Sequence, residues 1–155
     1  MRHIEINSYI RNHSAEQVFD ILADFKCYED LVDTVESIEI LENEGSHQSS
    51  WVVHFRNGLL KWVEEDYFRK DELKLEFEQV EGDFDEFFGG WILKQKSDYV
   101  SAILLVDFDF GVPSLASIVD PVAERVLVDV TKEILRGLFG NDVFFEKVED
   151  KAVVK

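Results

Sequence analysis

The sequence predicts an α+β protein, in which one antiparallel sheet of about seven strands curves around a single long C-terminal helix, with one or two short helices after the first strand. Three observations lead there. From Val35 onward, some seventy residues alternate apolar and polar with no 3.6-residue period and are broken by turn pairs such as Glu44-Gly45 and Asn57-Gly58. After Gly111-Val112-Pro113-Ser114, the residues Leu115, Val119, Val122, Val126, Val130, Ile134 and Leu138 keep one helical face apolar. Strands and long helix are segregated along the chain, so a single sheet must cover that face. A sheet this wide twists and curls, leaving a concave side that either packs solid or encloses a cavity.

The elements follow in order. Ile4, Ile6, Ser8 and Ile10 alternate with polar neighbours, which predicts a strand over 2–11. Ser14 followed by Gln17 spells a capping box, and Val18, Phe19, Ile21, Leu22 and Phe25 recur at helical spacing, predicting a helix over 14–25. Tyr28 and Leu31 extend the apolar marks into a second short helix or turn. Strands are expected over 35–43, 48–56, 59–69, 73–81, 84–95 and 99–110. Asn57-Gly58 is the strongest hairpin signal, because both residues tolerate the positive φ of a type I′ turn. Gly89-Gly90 lies inside a strand segment and reads as a bulge or bend. The long helix covers 114–139. Pro121 either kinks it or stands at the first position of a main helix capped by Asp120. Residues 1–140 form one ligand-binding domain on this reading. Residues 141–155 form a tail whose Phe144 and Phe145 pack while its end frays.

Composition narrows the function. The 155 residues are 46% hydrophobic and 32% charged, as in an ordinary globular domain large enough for a substantial core. Sixteen Lys and Arg against 33 Asp and Glu give a formal charge of -17, so the surface repels phosphate backbones and anionic headgroups, and nucleic acid is not an expected partner. The longest apolar run, Ala102 to Val106, is far short of the ~20 residues that span a bilayer, and the first residues lack a signal-peptide core. A cytoplasmic protein is the expectation. Cys27 is the lone cysteine, and His3, His13, His47 and His54 show no ligand spacing, so no metal or other cofactor is expected. No phosphate loop, dinucleotide fingerprint or nucleophile elbow is present.

The segments NSYIRNHSAEQVFDILADFKCYEDLV, ESIEIL, LLKWVEEDYFRKDELKLEFEQVEGDF and VDFDFGVPSLASIVDPVAERVL together resemble the START-like helix-grip superfamily, in its polyketide cyclase/dehydrase and coenzyme-Q-binding branch. The likeness covers roughly residues 5 to 138. It implies a helix-grip fold with a ligand cavity between curved sheet and long helix. Members bind lipids, quinones, polyketides or plant hormones, and only some catalyse a reaction, so the fold alone does not assign an activity. In aromatase/cyclase members a strand arginine near a tryptophan and a serine promotes enolisation and ring closure. An ungapped match places Trp62 on that tryptophan, Glu64 on the serine and Asp66 on the arginine. Gln79 corresponds to a second cavity arginine, and Tyr28 to a tryptophan at the cavity mouth. Both arginines are therefore replaced.

Strand geometry places Leu60, Trp62, Glu64, Asp66 and Phe68 on one face. If that face lines the cavity, Glu64 and Asp66 form a carboxylate pair able to hold one acid and one base, suited to proton abstraction beside a carbonyl or to loss of water. The alternative is that both sit at the solvated end of the strand within the general acid excess. Trp62, Trp51 and Trp91 are flat walls for a ligand or simply core. Phe77 and Gln79 share a face, and Gln79 could bond a ligand carbonyl or lie at the sheet rim. Val122, Val126 and Val130 of the helix stripe could touch a ligand. His54 and Arg56 point outward. These readings predict a cavity of ~300–1,000 Å³ holding a hydrophobic polyketide, quinone or lipid, with an acyl carrier protein as a candidate donor. Two functions remain open at this level: a cofactor-independent polyketide cyclase or dehydratase, and a non-catalytic carrier.

Overall fold

The computed structural model describes residues 1–43, 45–55, 58–112 and 116–145. The chain begins with strand β1 (Arg2–Ile10), helix α1 (Ala15–Ala23), a 3-10 turn (Phe25–Cys27) and helix α2 (Tyr28–Leu31). Six strands follow: β2 (Val35–Asn43), β3 (Ser46–Phe55), β4 (Gly58–Arg69), β5 (Lys74–Gly82), β6 (Glu86–Gln95) and β7 (Val100–Asp109). Helix α3 (Ala116–Phe139), a 3-10 turn (Gly140–Asp142) and a two-residue strand β8 (Val143–Phe144) complete it. All pairings are antiparallel, in the order β2-β3-β4-β5-β6-β7-β1-β8.

This is the α+β helix-grip architecture that the alternation and the helix stripe predict, with eight strands in place of about seven. The extra strand comes from the segment read as a tail: Phe144 and Val143 pair with Tyr9 and Ile10 of β1. The capping box forms as spelled. The Ser14 hydroxyl accepts the Gln17 N–H at 3.1 Å, and Gln17 Oε1 accepts the Ser14 N–H at 2.9 Å. Helix α3 runs through Pro121 without interruption, so the separate start at Asp120 is not adopted. The early glutamate of the Glu44-Gly45 turn, Arg56 and Asn57, Pro113 to Leu115 with the expected helix start at 114, and residues 146–155 lie outside the described residues.

Two local expectations change. Phe55 pairs with Gly58, so Gly58 begins β4 instead of closing a turn. Gly89 and Gly90 interrupt no register: Gly89 pairs with Phe77 and Val106, and Gly90 with Glu76 and Leu105. Their role is close approach, since a Cβ on Gly89 would stand 2.0 Å from the Leu105 carbonyl oxygen. Register shifts occur instead between Val35 and Ser37 and between Val63 and Glu64. At the second, Val63 faces Glu81 while Glu64 faces Gln79, so Val80 is the extra residue of a bulge that bends β5 beside the carboxylate strand.

The core lies between the concave face and α3, where Phe108, Ile10, Leu22, Ile38, Leu75 and Leu135 are fully buried. Helix α3 meets the rest of the fold through α2, β1, β8 and the turn that follows it. Lys26 and Glu29 tie the short helices to β2: Lys26 Nζ donates to the Ile38 carbonyl at 2.8 Å, and the Ile38 N–H donates to Glu29.

Candidate functional site

A cavity of about 90 Å³ lies under α3. Its sheet wall includes Ile4, Ile6, Trp51, Val53, Trp62, Leu75, Phe77, Phe87, Trp91, Leu104 and Val106, with Phe25 and Tyr28 at one end. Leu127, Val130, Thr131 and Ile134 form the helix side. The rings interlock: Trp51 and Trp62 stack at 5.8 Å with 6° between planes, Phe77 and Phe87 stack at 5.4 Å, and Phe25 meets Trp51 edge-on at 5.5 Å. The expected cavity of ~300–1,000 Å³ is therefore not found at that size: the interlocked rings leave only about 90 Å³. As it stands it has room for about three waters or one small group.

Glu64 is the carboxyl of this lining. Alternation along β4 is strict, with Leu60, Trp62, Glu64 and Asp66 buried and Lys61 and Tyr67 exposed, so the carboxyls are not part of the solvated acid excess. Glu64 is 3% exposed and Asp66 4%. Trp62 Nε1 donates to Glu64 Oε1 at 2.8 Å. Asp66 Oδ2 accepts the Ser49 hydroxyl at 2.7 Å, and Ser49 in turn accepts from Trp51 Nε1 at 2.8 Å. The two stacked tryptophans thus each orient one acid, Trp62 directly and Trp51 through Ser49.

Burial pushes the Glu64 pKa well above the ordinary glutamate range, the hydrogen bond to Asp66 and the charge of Asp66 push it further, and the Trp62 N–H opposes. Burial also raises Asp66, opposed by its bonds with Glu64 and Ser49 and by His47, while Glu65 adds to the rise. Asp66 Oδ1 is buried with no permanent donor in reach. Neighbouring carboxyls whose ionisation is opposed by burial, and for Glu64 by the charge of Asp66, are suited to hold one acid and one base.

The expectation that both acids share the cavity needs correction. Asp66 instead borders a second space, a cleft of about 170 Å³ lined by Asp24, Lys26, Glu42, His47, Gln48 and Phe68 among others. Phe25 is the wall common to both spaces.

Among the other candidates, Tyr28, Trp62, Phe77, Trp91 and Val130 line the cavity. Tyr28 is a fixed wall rather than a mouth residue: it is buried, its hydroxyl donates to the Leu22 carbonyl, and burial raises its pKa, with Glu64 the next contributor. Gln79 does not face the cavity. Although it pairs with Glu64 across β4 and β5, its amide donates to the Phe84 carbonyl at 2.9 Å and accepts the Phe84 N–H at 3.3 Å. Val122 and Val126 are half-buried and outside the lining. The facing stripe is Ala123, Leu127, Val130 and Ile134, with Ala123 fully buried: Val130 and Ile134 stand where the apolar count puts them, and in the first half of the helix the facing positions fall one residue later than Val122 and Val126. Ser49 shares the inward parity of Trp51 and Val53, a signal the sequence carried. Thr131 did not stand out because its hydroxyl, which donates to the Leu127 carbonyl at 2.7 Å, reads as polar. His54 is exposed, as expected. No group of three metal-ligating side chains gathers among the described residues.

The family model described as "Polyketide cyclase / dehydrase and lipid transport" matches residues 12–134. No curated protein matches by sequence. Solved structures share the fold at low identity. A Thermus thermophilus protein aligns with TM-score 0.78 at 22% identity, covering 88% of this chain and 94% of its own. The Zhui aromatase/cyclase of Streptomyces sp. R1128 aligns with TM-score 0.76 at 19% identity, covering 91% and 93%. A START superfamily protein of Mycobacterium smegmatis aligns with TM-score 0.70 at 17% identity, covering 90% and 96%.

Proposed function

The chain belongs to the polyketide cyclase/dehydrase and lipid transport family, and from that premise we propose that it binds a hydrophobic polyketide or aromatic ketone under α3 and promotes its cyclisation or loss of water. One observation carries this reading. An aromatic-walled, mostly apolar cavity has Glu64 as the carboxyl of its described lining, and burial together with the neighbouring Asp66 favours its protonated form. A neutral carboxylic acid in such a site donates a hydrogen bond to a carbonyl oxygen, where charge develops as an enol carbon attacks. In an aldol closure Glu64 gives its proton to the carbonyl that becomes a hydroxyl, and the resulting carboxylate takes one from the enol O–H. A new carbon–carbon bond forms, the carbonyl π bond breaks, and protons balance. Walls of Trp51, Trp62 and Phe87 restrict the conformers that can react, which is the larger share of the rate gain when a flexible chain must fold on itself.

The cavity admits such a ligand by displacement of the first half of α3. Val119, Val122 and Val126 are only half-buried and Ile118 is exposed, whereas Ile134, Leu135 and Phe139 are buried. In the first half the fully buried Ala123 and the Arg2–Glu124 ion pair at 2.7 Å hold the helix, so displacement there breaks these contacts first.

Replacement of the family arginines by Asp66 and Gln79 changes the means of polarising a carbonyl from a permanent cation to a neutral acid. The test is to incubate the purified chain with a linear poly-β-ketone thioester mimic and follow cyclised or dehydrated product, with native mass spectrometry for the bound state. Product formed faster than in buffer supports the reading. A protein that binds the mimic and returns it unchanged is a carrier, and that result overturns it.

A further inference from the structure

The two carboxyls of β4 stand between two separate spaces. Glu64 lines the cavity under α3 and Asp66 lines the cleft beside the 3-10 turn of Phe25–Cys27, while Phe25 separates the two. Asp66 is clamped on one side only: Oδ2 is held by the Trp51-Ser49 chain, with Ser49 at 2.7 Å, and Oδ1 is buried with no permanent donor. A buried carboxyl with one oxygen held by Ser49 and the other given no donor except its neighbouring acid, on a residue that lines a polar cleft, is arranged to accept a proton and pass it on.

We propose that Glu64 and Asp66 form a proton relay, through which the acid in the apolar cavity exchanges protons with water in the cleft without α3 opening. In the inward direction the Asp66 carboxylate takes a proton from hydronium or water in the cleft and hands it to the Glu64 carboxylate. In the outward direction Glu64 gives its proton to Asp66, which releases it to the cleft. Each step breaks one O–H bond and forms another, and no other bond changes. The relay goes beyond the cyclase reading, because it applies with the cavity empty.

The charged and titratable surroundings fit a port. Around Asp66 and the cleft stand Glu65 of β4, His47 of β3, Glu42 of β2, and Asp24 and Lys26 of the 3-10 turn and its cap. On the cavity side, Tyr28 of α2 is the other titratable group facing Glu64. Its hydroxyl proton is committed to the Leu22 carbonyl, and burial holds that proton on, so Tyr28 does not compete as a carrier.

The test uses the full chain without substrate. Infrared spectroscopy identifies the protonated Glu64 carboxyl as the C=O band lost in Glu64→Gln, and rapid transfer into heavy water gives its exchange rate. Asp66→Asn keeps size and hydrogen-bonding capacity but cannot carry the proton onward in the same way. The expected result is a retained band that exchanges at least tenfold more slowly, with the wild-type rate restored by Asp66→Glu. His47→Trp, which leaves both acids in place and crowds the cleft, slows exchange too, and serves even if Asp66→Asn fails to fold. Exchange as fast as wild type in Asp66→Asn or in His47→Trp overturns the relay. Because no turnover is read, that failure is separate from failure of the cyclase reading.

Discussion

Glu64 and Asp66 are two residues apart on one buried face of β4, yet Glu64 faces the cavity under α3 and Asp66 the cleft beside Phe25. The distinction assigns them different work. Glu64 is the group a ligand meets, whereas Asp66 acts through Glu64, raising its pKa by charge and by hydrogen bonding. Placing an acid next to a like-charged neighbour in a dry site is the usual way a carboxyl stays neutral near pH 7.

Glu64→Gln is expected to retain ligand affinity and fold, because the amide fills the same space and still accepts from Trp62. Turnover of a poly-β-ketone mimic should fall by about 10²- to 10⁴-fold, the range for loss of a general acid. Undiminished turnover would remove Glu64 from the mechanism.

Stability should fall as pH rises. Both acids have folded-state pKa values above their ordinary ones. A group raised by folding contributes stability that is fully present below its unfolded pKa and lost as pH climbs through the folded value. For Glu64 the loss begins above the ordinary value of 4.5. The general excess of acid, -17 overall, acts in the same direction, so the informative quantity is the difference between wild type and Glu64→Gln. Thermal melts from pH 4 to 9 should show a shallower decline in the variant, and parallel curves would mean that Glu64 ionises normally.

The parts of the site that period-2 geometry governs are legible in the sequence. Trp62, Glu64 and Asp66 share a face because alternate strand residues must, and Ser14 with Gln17 announces α1 through a local bond. What escapes depends on events between strands. The bulge at Val80 has no turn signal of its own, and the bonds that engage the Gln79 amide with Phe84 run to a loop five residues on. In the first half of α3 the facing positions differ from the apolar count, which passes over Ala123 and Thr131 because they are small or polar. That Asp66 faces a different space from Glu64 is decided by Phe25, far earlier in the chain.

Ser49→Ala removes the link between Trp51 and Asp66. Two buried polar groups lose a partner at once, so unfolding free energy from urea titration should drop by about 1–3 kcal/mol. The Asp66 pKa should rise further, since Ser49 is one of the groups that lowers it. A variant as stable as wild type would mean that the Trp51-Ser49-Asp66 chain does not persist in solution.

Val130→Ile tests whether the space under α3 is real and used. Val130 is 7% exposed and lines the cavity, and isoleucine keeps its β-branch, so the helix loses no propensity of consequence. The added methyl group projects into the 90 Å³ void, where it replaces empty volume with dispersion contacts and removes apolar surface from water, worth roughly 0.8 kcal/mol. The variant should melt at a higher temperature than wild type while binding the poly-β-ketone mimic more weakly, because the same volume that stabilises the empty protein is withdrawn from the ligand. A destabilised variant would show that the region is already packed to capacity, and the cavity would then have no role in binding.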